Sequence, residues 1–354
     1  MQLLKPFPQS FIKRLRLSNP WNYKVPFLIA IPYFFIMAGS MSFGEASLSV
    51  FYSLLTIIGI AGFGYLSNDV GDRDADRKAG KPNIALELNR WQIVSLLIFF
   101  VAIALLPWII YFPMDEISFL LLFTQFILFI TYTSPPFRLK EKGFAGVITD
   151  ALYAHVNPAL LAAYTFHLLS GKSYLQFDWF LIALAVWQFF LGIRNILLHQ
   201  IKDADNDRLS GIRTFVTGRP EVWISRLMRK VVIPLEVLSF IAFLAPVSIE
   251  FATMAIAYPL FLLYTGMCLM IQKKNIVPVS YRERLYVFLD DFYTGWIPVL
   301  ILSGLSVENY RMALLLCVHL FLFKNPLFGI LSNLVGLIST IALRLPQHVN
   351  KHIK

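Results

Sequence analysis

The sequence predicts an all-α polytopic membrane protein: a bundle of about nine transmembrane helices around a central cavity open to the cytoplasmic side, with further helical segments at the C-terminus. Three observations lead there. The 354 residues are 57% hydrophobic and only 15% charged, where a soluble domain carries about a quarter charged residues. Apolar runs such as 25–42, 46–67, 91–112 and 250–271 can each cross a hydrocarbon core of about 30 Å. Strand-period alternation is absent. In lipid every backbone polar group needs an internal partner, so such runs read as helices and a barrel is excluded.

Taken in order, the expected spans are 25–42, 46–67, 91–112, 117–133, 144–168, 178–198, 231–247, 250–271 and 287–305. The basic segment 1–24 precedes them. It has no apolar core followed by a small-residue cleavage site, so it is expected to lie on the membrane surface and to stay attached. Residues 306–354 form an additional helical stretch and a basic tail. Their apolar part, about 311–342, is interrupted by Lys-Asn-Pro at 324–326. It reads either as one kinked helix or as a span followed by a surface helix. Cys268 and Cys317 both sit in apolar runs and imply neither a disulfide nor a zinc framework.

Charge sets the orientation. Segments 1–24, 72–90, 134–143, 199–230 and 272–286 hold 24 Lys and Arg, whereas the short links between them hold only Lys172 and Arg311. The positive-inside rule places the first set on the cytoplasmic side, with a bacterial inner membrane as the expected location. The net charge of +10 is spread over membrane-edge loops and forms no compact basic domain, which argues against nucleic-acid binding. The long loops all fall on one side, and function concentrates in loops that a rigid scaffold positions.

Two of those loops open with acids. At the end of the second span stands "YLSNDVGDRDADRKAGKP", where Asn68, Asp72 and Asp76 share a helical stripe with Asp69 beside it. At the end of the sixth stands "RNILLHQIKDADNDRLSGIRTF", where His199, Asp203 and Asp207 share a stripe and Asp205 points elsewhere. Like charges at four-residue spacing repel, so such stripes call for a cation. Carboxylates with an Asn amide oxygen are hard ligands suited to Mg2+, which commonly binds one or two carboxylates plus substrate phosphates. Two acid stripes gripping a phosphorylated substrate through Mg2+ is one reading; ordinary solvated helix ends is the other. Two clusters on one face, both abutting spans, favour the first.

The residues also resemble a known family. "NDVGDRDAD" resembles the N-D-x-x-D-x-x-x-D motif of the UbiA superfamily of intramembrane prenyltransferases, and "DADND" followed by "RLSGIRT" resembles its second motif, D-x-x-x-D, at Asp203 and Asp207. Between them, "TYTSPPFRLKEKGFAG" resembles the family's Y-[ST]-x-P-P-x-R-L-K segment, at Tyr132, Pro135, Pro136, Arg138 and Lys140. After the first motif this chain reads "GKPNIAL" where many members have an R-P-I-P-S-G-like stretch. The resemblance implies a nine-helix prenyltransferase-like domain over 25–305.

It further implies Mg2+-dependent transfer of an isoprenyl group from a prenyl diphosphate to a small-molecule acceptor, usually aromatic, within the lipid bilayer. The metal set would be Asn68, Asp69, Asp72, Asp76, Asp203 and Asp207. Arg138, Lys140, Arg208 and Arg213 are candidate diphosphate donors, with a positive-inside anchor as the alternative for each. Tyr132 and Tyr65 are candidate cation-stabilising rings. His199 reads as an acceptor-side base or as polar filler. Arg194 and Asn195 lie inside the sixth span, where Arg194 is expected to contact a phosphate or an acceptor carboxylate, or to pair with Asp150. Asp290 and Asp291 line the site or cap the ninth span. A terpene cyclase using the same two motifs remains open. A cation-coupled transporter fits less well, because the acids lie at span ends. A head-group transferase would need a D-G-x-x-A-R element, which does not occur.

Overall fold

The computed structural model describes residue 21, residues 23–171, 177–209, 211–272 and 288–325, and scattered positions from 328 to 339. Most of the surface segment 1–24, nearly all of the basic loop 272–286 and the tail beyond 339 therefore lie outside the described residues. The described chain is helical, with no strand. Its α-helices are α1 (Val25–Gly39), α2 (Phe43–Gly71), α3 (Arg73–Ala79), α4 (Arg90–Ile110), α5 (Glu116–Thr133), α6 (Phe144–Ala151), α7 (Asn157–Ser170) and α8 (Phe177–Leu209), followed by α9 (Glu221–Leu227), α10 (Ile233–Glu250), α11 (Thr253–Gln272), α12 (Phe288–Asp291), α13 (Ile297–Glu308) and α14 (Ala313–Leu322). Among the described residues five stretches are long and apolar enough to cross a membrane: Phe43–Gly71, Arg90–Ile110, Glu116–Thr133, Phe177–Asp205 and Glu221–Ile249. The apolar helices Val25–Gly39, Thr253–Met267 and Tyr310–Leu322 are shorter.

The tight links expected between spans are built as helix caps. Ser42 and Glu45 form a reciprocal capping box at the start of α2, and Asn89 and Gln92 another at the start of α4. Asp115 caps α5 by accepting from the Ser118 amide at 2.8 Å. Each cap satisfies amide groups that a helix start leaves without partners. Packing then pairs α2 with α4, α8 with α10, and α1 with α7 and α13. Gly59 lets α2 and α4 approach closely: a Cβ there would meet the Ala104 amide nitrogen at 2.5 Å. Small residues at helix seams serve this purpose in lipid, where apolar burial does not drive helix association.

Three helices widen into a π turn: Leu152–Val156 between α6 and α7, Met228–Val232 between α9 and α10, and Phe292–Trp296 between α12 and α13. Each stops two residues before a proline, Pro158, Pro234 and Pro298. Proline lacks the amide hydrogen and its ring crowds the carbonyl four residues back, so the helix accommodates it by taking in an extra residue. At the first turn the freed Tyr153 carbonyl accepts from Gln125 Nε2 at 2.8 Å, and Asn157 in turn donates to Gln125 Oε1 at 2.7 Å.

At the far end of the chain α14 packs on α1. Tyr33 and His319 share a buried hydrogen bond of 3.2 Å, and Trp21 Nε1 donates to the Leu322 carbonyl at 2.9 Å. The helix stops at Leu322, just ahead of the Lys-Asn-Pro break anticipated at 324–326. A small apolar pocket of about 40 Å³ lies between α1, α2, α4 and α7, bounded by Thr56, Ile60, Trp108, Phe112 and Leu161.

Candidate active site

The first acid cluster sits where α2 gives way to α3. The path stays helical across the joint, since the Asp72 amide bonds the Asn68 carbonyl at 2.9 Å and the Asp76 amide bonds the Asp72 carbonyl at 2.8 Å. Asn68, Asp72 and Asp76 therefore keep a common stripe, while Asp69 turns inward and is buried. Gly71 allows the end of α2 to touch the end of α5, because a Cβ there would meet the Thr133 carbonyl oxygen at 2.6 Å. That approach brings the loop after α5 against the acids.

From this loop Lys140 Nζ pairs with Asp72 Oδ1 and reaches Asn68 Oδ1 at 3.3 Å. Arg138 donates to Asp72 at 3.2 Å, to the Gly71 carbonyl, and to Glu141 at 2.6 Å. Its backbone lies in the left-handed region, φ 39°, a conformation that costs about 1 kcal/mol or more outside glycine and that its three side-chain bonds hold in place. Burial pushes the Lys140 ammonium below its usual range, and the Asp72 charge opposes that shift. Asp76 is held from a different side, by Asn83.

The second cluster lies on the last turns of α8. His199 Nδ1 stands 3.2 Å from Asp203 Oδ2. Asp207, one turn on, is buried. Burial raises its carboxyl above the ordinary range, Asp203 pushes it further, and Asp72 of the first cluster adds to the push, against Lys81 and His199. Asp72 of the first cluster thus lies within electrostatic reach of Asp207 of the second. Tyr132 is buried, edge-on to Tyr153 at 5.0 Å, and within the fields of Asp150, Asp72 and Asp207. Tyr65 is half-buried nearby and acts on Tyr153.

Other expected residues fall elsewhere. Asp205 is 93% exposed and pairs with Arg208 at 3.3 Å, on a different face of α8 from the stripe. Arg213 is exposed in the loop beyond. Arg194, fully buried, uses all five donors: on Glu236 at 2.6 and 3.0 Å, on Asp290 at 2.6 and 3.2 Å, and on Asn195 at 3.0 Å. The pairing with Asp150 is not formed; Asp150 takes the Tyr153 hydroxyl instead. Asn195 also reaches His155 at 3.4 Å. Three residues with close polar roles here were missed from sequence: Asn83, Glu236 and Tyr153. The Lys81 charge acts on both Asp203 and Asp207.

Among the described residues no three His, Cys, Asp or Glu side chains converge into a ready-made metal cage. The donor set is hard oxygen split between two acid stripes, which suits Mg2+ completed by phosphate oxygens.

A family model described as the UbiA prenyltransferase family matches residues 26–290. No curated protein matches the sequence. Among solved structures, a UbiA homolog from Archaeoglobus fulgidus bound to DMAPP and Mg2+ aligns at 19% identity, over 84% of this chain and 99% of that one, with a TM-score of 0.56. The same homolog bound to GPP and Mg2+ aligns at 20% identity, over 83% and 99%, with a TM-score of 0.54. At these identities the likeness speaks for a shared fold.

Proposed function

The chain belongs to the UbiA prenyltransferase family, and from that premise we propose that it transfers an isoprenyl group from a prenyl diphosphate to a small acceptor, probed first with aromatic compounds, and releases pyrophosphate. The observation that carries this reading is the pair of cations, Lys140 and Arg138, that the loop after α5 sets on Asp72 beside Asn68. We infer that the two acid stripes line one cleft. We place the cleft at the cytoplasmic ends of nine crossings in a bacterial inner membrane, on the strength of the Lys and Arg asymmetry.

In this reading Asn68, Asp72 and Asp76 on one wall and Asp203 and Asp207 on the other hold Mg2+, the ion bound in the Archaeoglobus structures. When bound, the metal takes up charge on the leaving diphosphate. Lys140 and Arg138, already poised on Asp72, donate to the phosphate oxygens as the allylic C–O bond breaks and its electron pair leaves with the diphosphate. The Tyr132 face stabilises the allylic cation by about 0.5–2 kcal/mol, and the buried setting keeps water away. The acceptor supplies the new bond and loses a proton, for which His199, beside Asp203, is the candidate base. The chain's tail runs outward among α1, α2 and α7 toward the apolar pocket at Thr56, twelve residues or about 18 Å of helix above Asn68.

The test is mass spectrometry of products from membranes carrying the protein, fed prenyl diphosphates of several lengths and a panel of acceptors. A prenylated product that disappears with Asp72→Ala and Asp203→Ala supports the proposal. Diphosphate release without any acceptor would point to a cyclase. Unchanged turnover in both variants would end the site assignment.

A further inference from the structure

The loop between α3 and α4 carries the stretch in which this chain departs from the family pattern, and it does two things at the site. Gly80, at φ 62° with open space where a side chain would sit, ends α3 and turns the chain back. The Lys81 amide caps the Asp76 carbonyl at 3.0 Å. Ile84 and Ala85 then bury against the end of α2, and Asn83 is carried in with them, only 4% exposed.

Every polar group of the Asn83 side chain is used. Its Oδ1 accepts from the Ala85 amide at 2.8 Å. Its Nδ2 donates to the Asp69 carbonyl at 2.8 Å and to Asp76 Oδ2 at 2.8 Å. The orientation is forced: a backbone amide can only donate, so the carbonyl side of Asn83 must face Ala85, and the amino side must face two acceptors. One side chain thus ties the last turn of α2, the middle of α3 and the start of the returning loop. Asp76 is engaged through Oδ2, and its Oδ1 makes no hydrogen bond among the described residues.

We propose that Asn83 is a positioning residue for the metal site: it grips Asp76 by one oxygen and leaves the other turned out for a divalent cation. This rests on the reading given under Proposed function. A neutral amide does this where a lysine or arginine would not, since it fixes the carboxylate without neutralising it. Residues that orient ligands in this way typically contribute 10- to 100-fold to metal affinity. The same loop carries Lys81, whose charge reaches Asp203 and Asp207.

The test uses the full chain in detergent, with Mn2+ titrated by electron paramagnetic resonance in the presence of inorganic pyrophosphate. Asn83→Leu keeps nearly the same shape and removes the donors. The expected result is Mn2+ binding weakened about 10- to 100-fold, matched by Asp76→Asn, with the double variant no worse than either single one. If Asn83→Leu binds Mn2+ like the parent while Asp72→Asn and Asp76→Asn do not, Asn83 is only a structural staple and the inference falls. If Asp72→Asn and Asp203→Asn also bind like the parent, the proposed function itself falls. Should Asn83→Leu not fold, Asn83→Asp keeps the Ala85 bond and sets a carboxylate against Asp76; unchanged Mn2+ binding there overturns the inference equally.

Discussion

Two assemblies of charge lie within a few turns of each other on α8, and they are built on opposite plans. Arg194, Glu236 and Asp290 form a closed unit: one guanidinium fully donated, two carboxylates around it, three helices tied together. Five residues further on begins the open unit, where His199 is the ion-pair partner of Asp203 among the described residues and Asp207 feels the charges of Asp203 and Asp72. A buried arginine whose donors are all taken has nothing left to offer a ligand, and removing its charge leaves carboxylates without a counterion. The acid stripes are the reverse case: carboxylates there are partly exposed, as at Asp72 and Asp203, and keep oxygens without a protein partner among the described residues, as at Asp76. The difference separates two kinds of charge that look alike in sequence: one that fastens helices and one proposed to receive a substrate.

That contrast can be broken at several points. The largest effect is expected from Asp72→Asn or Asp203→Asn, which should lower turnover about 10³-fold, on the scale of losing a principal stabiliser of transition-state charge, while the thermal midpoint in detergent falls less than it does in Arg194→Met. Arg194→Met should do the opposite, lowering unfolding stability by about 3 kcal/mol; pairing it with Glu236→Leu should recover much of that loss, because Asp290 is one-third exposed and can be hydrated. Stability unchanged in Arg194→Met, or activity unchanged in Asp72→Asn, would erase the distinction. Next in size, Lys140→Met should weaken diphosphate binding by about 1.5–3 kcal/mol, the value of a charged hydrogen bond, read as a raised KM. The smallest effect belongs to Asp205→Asn, an acid of the same motif on the wrong face. It should change activity less than about twofold, and a large loss would mean that the stripe is misassigned.

What the sequence could supply follows from how local each signal is. The acid clusters were readable because acids at four-residue spacing after an apolar run have a meaning within one helix. The caps at Ser42 with Glu45 and Asn89 with Gln92 are short-range signals too, and they start α2 and α4 at Phe43 and Arg90, ahead of the spans expected from hydropathy at 46 and 91. Glu236 was not readable. It stands 42 residues from Arg194, inside an apolar stretch, and nothing local joins the two. Arg194 was therefore matched to Asp150, the acid nearer to hand, which in the fold belongs to Tyr153. Arg208 was drawn toward the site by its place in the motif, yet helical phase carries it to Asp205. Asn83 gave no sign of its role, because the bond to Asp76 exists only after Gly80 has reversed the chain.

Each π turn adds one residue to its helix. One extra residue in a helix rotates everything beyond it by about 100°. In α6 and α7 the turn lies between Asp150 and the half that carries Leu161 at the apolar pocket. Each such rod is in effect two short rods joined out of phase. Under the proposed function, substitutions on one side of the turn can change the residues at the acid stripes without changing those at the apolar pocket, so that head-group choice and tail length become separately adjustable traits of one scaffold.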